Sequence, residues 1–181
     1  MNIWAAGTTT ELIDAHLREG SAIRFTVPTW SMYPSLAPGD GVIVRGARAA
    51  ELRLGDIVVV KIGEPLDGTR TAWLAHRLIA RRVVDGAVSL VTKGDNCAVA
   101  DAPWTEAQLC GSVVAVQRQG ATQPASLLSR RARWAGMMLA LLSRGQWFVR
   151  RTFRGLVQRL TLKVSRALFR VGARAARWIV G

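Results

Sequence analysis

The sequence predicts a mainly β protein that ends in a basic helical extension. Short segments in which apolar and polar residues alternate are separated by turns rich in Gly, Pro and Asp, a pattern typical of antiparallel strands. From about residue 125 the apolar residues instead recur every three or four positions, which is the period of an amphipathic helix. We therefore expect an N-terminal helix (1–20), a β-rich domain (21–120) and a basic helical tail (121–181).

The charge is divided unevenly along the chain. Residues 1–106 contain 11 Lys or Arg and 12 Asp or Glu, whereas residues 107–181 contain 14 Lys or Arg and no acidic residue. The formal net charge of +13 is therefore carried by the second part. The first part has the balance of an ordinary globular domain, and the polycationic tail indicates an anionic partner.

The N-terminal segment predicts a short helix. Thr8 is a suitable N-cap, with Glu11 three residues later as its capping-box partner. His16 lies in this helix, where a lone histidine is expected to be structural or solvated. The segment lacks the basic start and the long apolar run of a secretory signal, and no run of 18 apolar residues occurs in the sequence. We therefore expect no transmembrane helix.

A strand predicted at 22–27 leads directly to Ser31. Pro28 ends the strand and Pro34 follows the serine, so the Ser31 hydroxyl is expected on an exposed but rigid loop. A serine hydroxyl is a poor nucleophile at neutral pH unless a base takes its proton. His76 is the candidate base, because the one other histidine belongs to the N-terminal helix.

The second half of the domain predicts a long hairpin around Asp85-Gly86, since Asp-Gly between apolar strands favours a two-residue turn. If its strands pair without a bulge, His76 faces Asp95 at a Cβ separation of about 4.5–5.5 Å. One bulge would shift the register by a residue and remove the match. Lys93 is expected at an exposed strand end, with no catalytic role. Three further strands are predicted at 42–45, 57–62 and 109–118.

Several short motifs occur in a fixed order. They are Ser31-Met32-Tyr33-Pro34, Gly39-Asp40, Gly55-Asp56, His76-Arg77 and Lys93-Gly94-Asp95-Asn96. This ordered set resembles the serine peptidases of the signal peptidase I family. Because the set contains a histidine, it resembles in particular the branch found in archaea, the endoplasmic reticulum and some spore-forming bacteria. The resemblance covers residues 20–120 and implies a folded, barrel-like double sheet that cleaves leader or signal peptides. Family members usually have a transmembrane helix ahead of the serine, and this chain is atypical in lacking one.

The resemblance assigns catalytic roles to particular residues. Ser31 is the expected nucleophile, and His76 is the base that removes its proton. The aspartate six residues beyond Asp95 is usually the partner of the histidine in this branch, and here that residue is Asp101. The hairpin register favours Asp95 for the same role. The preserved motif spacing favours Asp101, with Asp95 supporting the site, and the sequence leaves both candidates open.

The residues beside the serine are expected to bind the substrate. The resemblance implies an oxyanion hole formed by the Thr29 hydroxyl and the backbone N–H of Ser31. Trp30 and Met32 are expected to contact a peptide or preprotein that has small residues near the cut. The resemblance implies no cofactor, and no metal site is expected.

The tail predicts a cationic amphipathic helix over 150–180. Its apolar residues fall within a stripe about 80° wide at helical spacing, with Arg and Lys on the opposite side. The favoured interpretation is binding to an anionic membrane surface, the alternative is docking on the domain or on a partner protein, and nucleic acid is disfavoured. A shorter helix is predicted before it from Leu127, Trp134, Met138 and Leu141, ending near Gly145.

The sequence thus indicates a serine endopeptidase that associates peripherally with a membrane, with the cytoplasmic face favoured. The alternative is a non-catalytic peptide- or membrane-binding module that keeps the peptidase fold. Cys97 and Cys110 lack metal-ligand spacing and are expected to be reduced thiols. A disulfide between them is the alternative in an oxidising compartment.

Overall fold

The structure is a computed structural model that describes residues 8–62, 72–84, 86–152 and 171. Within these residues the chain forms two α-helices and one antiparallel sheet of eight strands. The helices are α1 (Thr8–Arg18) and α2 (Arg130–Thr152). The strands are β1 (Ala22–Thr26), β2 (Gly41–Arg45), β3 (Ile57–Ile62), β4 (Ala72–Val84), β5 (Ala87–Lys93), β6 (Trp104–Thr105), β7 (Leu109–Gln117) and β8 (Ala125–Ser126). The prediction of a mainly β protein with a C-terminal helix is confirmed.

The strands lie in the sheet in the order β1-β2-β7-β3-β4-β5-β6, and β8 pairs with β7. Strand β7 therefore lies between β2 and β3. It connects the β1–β2 pair to β3, which in turn pairs with the long β4–β5 hairpin. The sheet continues past residue 120 through the pairing of Ala125 and Ser126 with β7.

Strand β3 is buried on both faces, which explains its uninterrupted apolar sequence. Ile57 and Val59 pack in one hydrophobic core, and Val58 and Val60 pack in the other. The first core also receives Leu17 from α1, so the N-terminal helix covers one face of the sheet. The two faces of the sheet thus carry separate hydrophobic cores.

The β4–β5 hairpin contains a bulge that changes its register. Val84 pairs with Ala87 and Ala80 pairs with Val91 as an unbroken ladder requires, but Leu78 then pairs with Thr92. The register shift lies at Ile79, whose side chain is fully buried against Ala140 of α2. The predicted pairing of His76 with Asp95 is therefore wrong, because the shift removes their alignment.

Helix α2 packs on the sheet through a close backbone approach. Ser129 caps its start, because the Ser129 Oγ accepts a hydrogen bond from the Ala132 N–H at 3.2 Å. A Cβ on Gly136 would lie 2.8 Å from the carbonyl oxygen of Gly55, so only glycine permits this approach. The helix passes through Gly145 without a break, and the predicted end of a short helix near that glycine is wrong. Leu127 lies before the helix rather than within it.

The predicted apolar stripe of α2 faces outward. Trp134, Met138 and Leu141 are all exposed, whereas Leu139 and Ala140 on the opposite side are buried. Over the described part of the chain, neither helix has the length and apolarity needed to cross a membrane. The amphipathic helix predicted over 150–180 falls almost entirely outside the described residues.

Candidate active site

Ser31 lies on a loop between β1 and β2 whose backbone is fixed at both ends. The N–H of Val27 donates to the carbonyl of Asp40 at 2.8 Å, and the N–H of Gly39 donates to the carbonyl of Val27 at 2.9 Å, which closes the loop at its base. At the serine itself, the N–H of Asn96 donates to the Ser31 carbonyl at 2.8 Å. This last bond attaches the Ser31 loop to the segment that follows β5, the region of the Lys-Gly-Asp-Asn motif.

A buried arginine holds the same loop against β4. Arg77 donates two hydrogen bonds to the Asp95 carboxylate, at 2.8 and 2.6 Å, in a bidentate pair that is almost completely buried. Its Nη1 donates to the carbonyl of Gly55 at 2.7 Å, and its Nη2, which also donates to Asp95, donates to the Ser35 Oγ at 3.0 Å. A guanidinium supplies this many donors in one plane. Asp95, one of the two candidates for orienting His76, therefore has a different partner.

The other candidate, Asp101, lies against His76. The Nδ1–H of His76 donates to the Asp101 Oδ2 at 2.7 Å. Thr92 also donates to this carboxylate oxygen, at 2.5 Å, and the indole of Trp104 donates to the Thr92 hydroxyl at 2.8 Å. The N–H of Asp101 donates to the Thr92 carbonyl, so its backbone is fixed too. Asp101 thus orients the imidazole of His76, and Thr92 holds both the carboxylate and the backbone of Asp101 in place.

The environment of His76 favours its cationic form. Burial of the ring lowers its pKa, but the hydrogen bond to the Asp101 carboxylate and the nearby Cys97 thiol raise it more strongly, and together they raise the pKa of His76 to about 9. The histidine is only 4% exposed, and within the described structure its Nε2 has no hydrogen bond of ordinary geometry. The ring is therefore prepared to exchange a proton at Nε2 with a group that enters beside it.

Ser31 and His76 line one cleft. The cleft has a volume of 430 Å³, and its wall includes Thr29, Cys97 and Asp101 as well as apolar side chains from β2, β3 and β4. The Ser31 Oγ accepts a hydrogen bond from the Thr29 hydroxyl at 3.2 Å, and the N–H of Ser31 donates to the Thr29 Oγ1 at 3.4 Å. The two groups expected to form an oxyanion hole are therefore adjacent and bonded to each other.

Of the residues expected to contact substrate, one lies in the cleft and one does not. Met32 lines the cleft, but its side chain is only 2% exposed and packs in the hydrophobic core. It therefore supports the wall of the cleft from inside. Trp30 is 58% exposed, rests edge-on against Tyr33, and is absent from the described wall of the cleft. The contact of Trp30 with a substrate stays a prediction.

Lys93 differs most from its expected environment. It was expected to be exposed, yet it is completely buried, and its Nζ donates to the carbonyl of Gly94 at 3.3 Å and to Gln146 of α2 at 3.5 Å. The prediction of an exposed lysine is wrong because α2 covers this part of the sheet.

The two cysteines are unpaired and have unlike surroundings. Cys110 lies near Asp14 on the α1 side of the sheet, whereas Cys97 lines the cleft. Sequence reasoning did not assign Cys97 to the site. Its position one residue after the Lys-Gly-Asp-Asn motif was the available signal. No group of three or more His, Cys, Asp or Glu side chains in the described residues is arranged to hold a metal ion.

Fold and site together define a mainly antiparallel β protein with serine, histidine and aspartate side chains at one cleft. Compared with known proteins, the chain matches no protein-family model, no curated protein and no solved structure.

Proposed function

We propose that this protein is a serine endopeptidase that cleaves leader or signal peptides and is similar to the histidine-type branch of the signal peptidase I family. The observation that carries the proposal is the 2.7 Å hydrogen bond from His76 to Asp101, on a ring that lines the same cleft as Ser31. A nucleophile, a base and an orienting acid are the three groups that this chemistry requires.

In the proposed reaction the Ser31 Oγ attacks the carbonyl carbon of the scissile peptide bond while the His76 Nε2 takes the hydroxyl proton. The same nitrogen then gives that proton to the departing amine, which leaves an ester on Ser31. A water molecule hydrolyses the ester by the same proton route. Asp101 keeps the proton on Nδ1, so that Nε2 is the basic nitrogen, and stabilises the imidazolium that forms.

The free structure requires one rearrangement before this reaction. The Ser31 Oγ is hydrogen-bonded to Thr29, so it must rotate about its Cα–Cβ bond to reach Nε2. Catalytic hydrogen bonds often form only when substrate binds. The rotation also frees the Thr29 hydroxyl to donate to the oxyanion. The Ser31 N–H becomes the second donor when the entering oxyanion replaces the Thr29 Oγ1 as its acceptor.

The test uses the purified full chain with a fluorogenic Ala-x-Ala peptide and, separately, with a fluorophosphonate probe. We expect turnover and labelling of Ser31, both abolished by Ser31→Ala. With His76→Ala we expect a loss of at least about 100-fold, the contribution typical of a general acid–base group.

Two variants provide matched controls. Ser21→Ala and His16→Gln change the same residue types at exposed positions outside the cleft, so both are expected to react like the wild type. Equal turnover in the wild type, Ser31→Ala and His76→Ala would contradict the proposal, as would a wild type that neither turns over peptide nor reacts with the probe.

A second candidate function is a non-catalytic module that binds peptides in the same cleft. The bond between Thr29 and Ser31, together with the absence of a bond from Ser31 to His76, favours it. Saturable binding of the Ala-x-Ala peptide by a chain whose Ser31 is inert to the fluorophosphonate would support this function over the peptidase.

We further propose that the protein works at an anionic membrane surface. The outward side of α2 carries Trp134, Met138 and Leu141 within about 60° of helical arc. Arg130, Arg131 and Arg144 are exposed on the same helix. An apolar stripe flanked by arginines is suited to the interface of anionic lipid.

Vesicles of phosphatidylglycerol and phosphatidylcholine test this surface by co-sedimentation. The triple variant Trp134→Gln, Met138→Gln, Leu141→Gln is expected to lose most binding. The matched triple variant Leu12→Gln, Val83→Gln, Val99→Gln changes exposed apolar residues elsewhere and is expected to retain it. Equal sedimentation of the two variants would remove α2 from the proposal and leave the segment 150–180 as the candidate.

A further inference from the structure

Cys97 lies where the Ser31 loop and the His76 strand meet. Its backbone N–H donates to the carbonyl of Gly94 at 2.9 Å, its thiol donates to the Ser31 carbonyl at 4.0 Å, and the residue lines the cleft. A Cβ built on Gly94 would lie 2.5 Å from the Cys97 Sγ, 2.8 Å from the His76 Nε2 and 2.7 Å from the Ser31 carbonyl oxygen. The thiol, the imidazole and the serine loop therefore converge on Gly94 so closely that a Cβ does not fit between them.

The Nε2 atom of His76 supplies a second observation. The His76 side chain is more than nine-tenths buried, its Nδ1 is bonded to Asp101, and its Nε2 lacks a hydrogen bond of ordinary geometry within the described structure. An imidazole beside a thiol can take the thiol proton as the sulfur attacks an electrophile. The same histidine that would serve Ser31 is thus in position to serve the Cys97 thiol.

The second cysteine provides an internal comparison. Cys110 is largely buried near the Asp14 carboxylate, and burial, followed by the charge of Asp14, raises the pKa of the Cys110 thiol to about 12. Cys110 is therefore expected to be almost wholly protonated, and so unreactive, near neutral pH. It is also absent from the described wall of the cleft.

We propose that Cys97 is a second nucleophile of this cleft and a modification site for sulfur-directed electrophiles, in particular disulfides and thiosulfonates. The Cys97 thiolate attacks one sulfur of the electrophile, a new S–S bond forms, and the S–S bond of the reagent breaks with departure of a thiolate or sulfinate. Excess thiol reverses the step by the same exchange. The added group extends into the cleft that Cys97, His76 and Ser31 line, so modification blocks the approach of the Ser31 Oγ to His76. This last consequence rests on the proposed peptidase function.

The first experiment measures the reactivity of the thiol without reference to catalysis. The folded full chain is treated with methyl methanethiolsulfonate near neutral pH, and the rate of modification at each cysteine is followed by peptide mass mapping. We expect Cys97 to react at least about tenfold faster than Cys110. We expect His76→Gln, with its fold checked by circular dichroism, to slow Cys97 about tenfold and to leave Cys110 unchanged.

Either of two results would overturn the proposal. One is a Cys97 that reacts no faster than Cys110 in the wild type. The other is a Cys97 whose rate is the same in the wild type, His76→Gln and Asp101→Asn, since its reactivity would then owe nothing to the imidazole.

The second experiment tests the link to Ser31. Modification of the wild type is expected to slow fluorophosphonate labelling of Ser31 at least about tenfold, and dithiothreitol is expected to restore it. Cys110→Ala should keep this sensitivity and Cys97→Ala should lose it. Labelling of the wild type that is unaffected by complete modification of Cys97 would refute the block. If Ser31 never reacts with the probe, the peptidase proposal fails, and the rates at the two cysteines still decide the reactivity of Cys97.

Discussion

The raised pKa of His76 predicts that activity and stability change in opposite directions over the same pH range. The pKa rises from 6.5 to about 9, because the Asp101 carboxylate and the Cys97 thiol outweigh the burial of the ring. At pH 7 only about 1% of the ring is neutral, and at pH 9 about half is, so a reaction that needs the neutral base should accelerate about 50-fold between these values.

The same shift stabilises the fold at the lower end of this range. A pKa difference of this size corresponds to about 3 kcal/mol of preferential interaction with the imidazolium. Because the folded-state pKa is raised, this contribution is fully present below the unfolded-state value of 6.5 and is lost as pH rises through about 9. In Asp101→Asn the largest effect that raises the pKa of His76 is gone. The difference in unfolding free energy between the wild type and the variant should therefore shrink as pH rises from 6.5 to about 9.

Three measurements check the reasoning. An NMR titration of the imidazole in a His16→Gln background follows His76 alone, because the chain has two histidines. Urea unfolding of the wild type and Asp101→Asn at several pH values gives the stability difference, and fluorophosphonate labelling gives the pH dependence of the reaction. A titration midpoint at or below 6.5, together with a labelling rate that does not change between pH 7 and 9, would refute the assignment of His76 as a carboxylate-supported base.

Three substitutions test other parts of the site. Gly94→Ala should lower fluorophosphonate labelling about 100-fold, because its methyl group would displace His76 by a large fraction of an ångström; labelling at the wild-type rate would contradict this. Arg77→Lys should lower the free energy of urea unfolding by about 1.5–3 kcal/mol, because lysine keeps the charge but cannot make the bidentate buried bonds to Asp95; a loss below about 1 kcal/mol would argue against a structural role. Thr29→Val should lower peptide turnover about 100- to 1000-fold whereas Thr29→Ser retains most of it, and equal rates in the two variants would exclude an oxyanion role.

Local patterns in the sequence predict the strands well because each pattern reports on one element. The alternation at 22–27 and the apolar run at 57–62 correspond to β1 and β3 almost residue for residue. The Asp-Gly turn correctly locates the β4–β5 hairpin. Motif spacing, rather than strand register, identifies the aspartate that lies against His76, since that spacing includes a loop whose path strand geometry does not describe.

The features that the sequence did not predict depend on contacts between distant elements. At the bulge, the Ile79 side chain packs against Ala140 in α2. The sequence of the hairpin itself contains no signal that predicts this bulge. The burial of Lys93 has the same cause, because α2 lies over the end of β5. The exposure of the α2 stripe could not be predicted, because helical periodicity shows that an apolar side exists, not whether that side faces the sheet or solvent.

The protonation state of His76 connects the two nucleophiles of the cleft. Serine needs the neutral ring, since its hydroxyl must lose a proton to Nε2 as it attacks. The Cys97 thiol gives its proton to the same nitrogen as its sulfur attacks. Toward pH 9 the ring becomes neutral, which favours reactions at both residues. Hydrogen bonds fix the Asp101 carboxylate and the backbone of the Ser31 loop, so the proton on His76 is the part of the site that changes over this pH range.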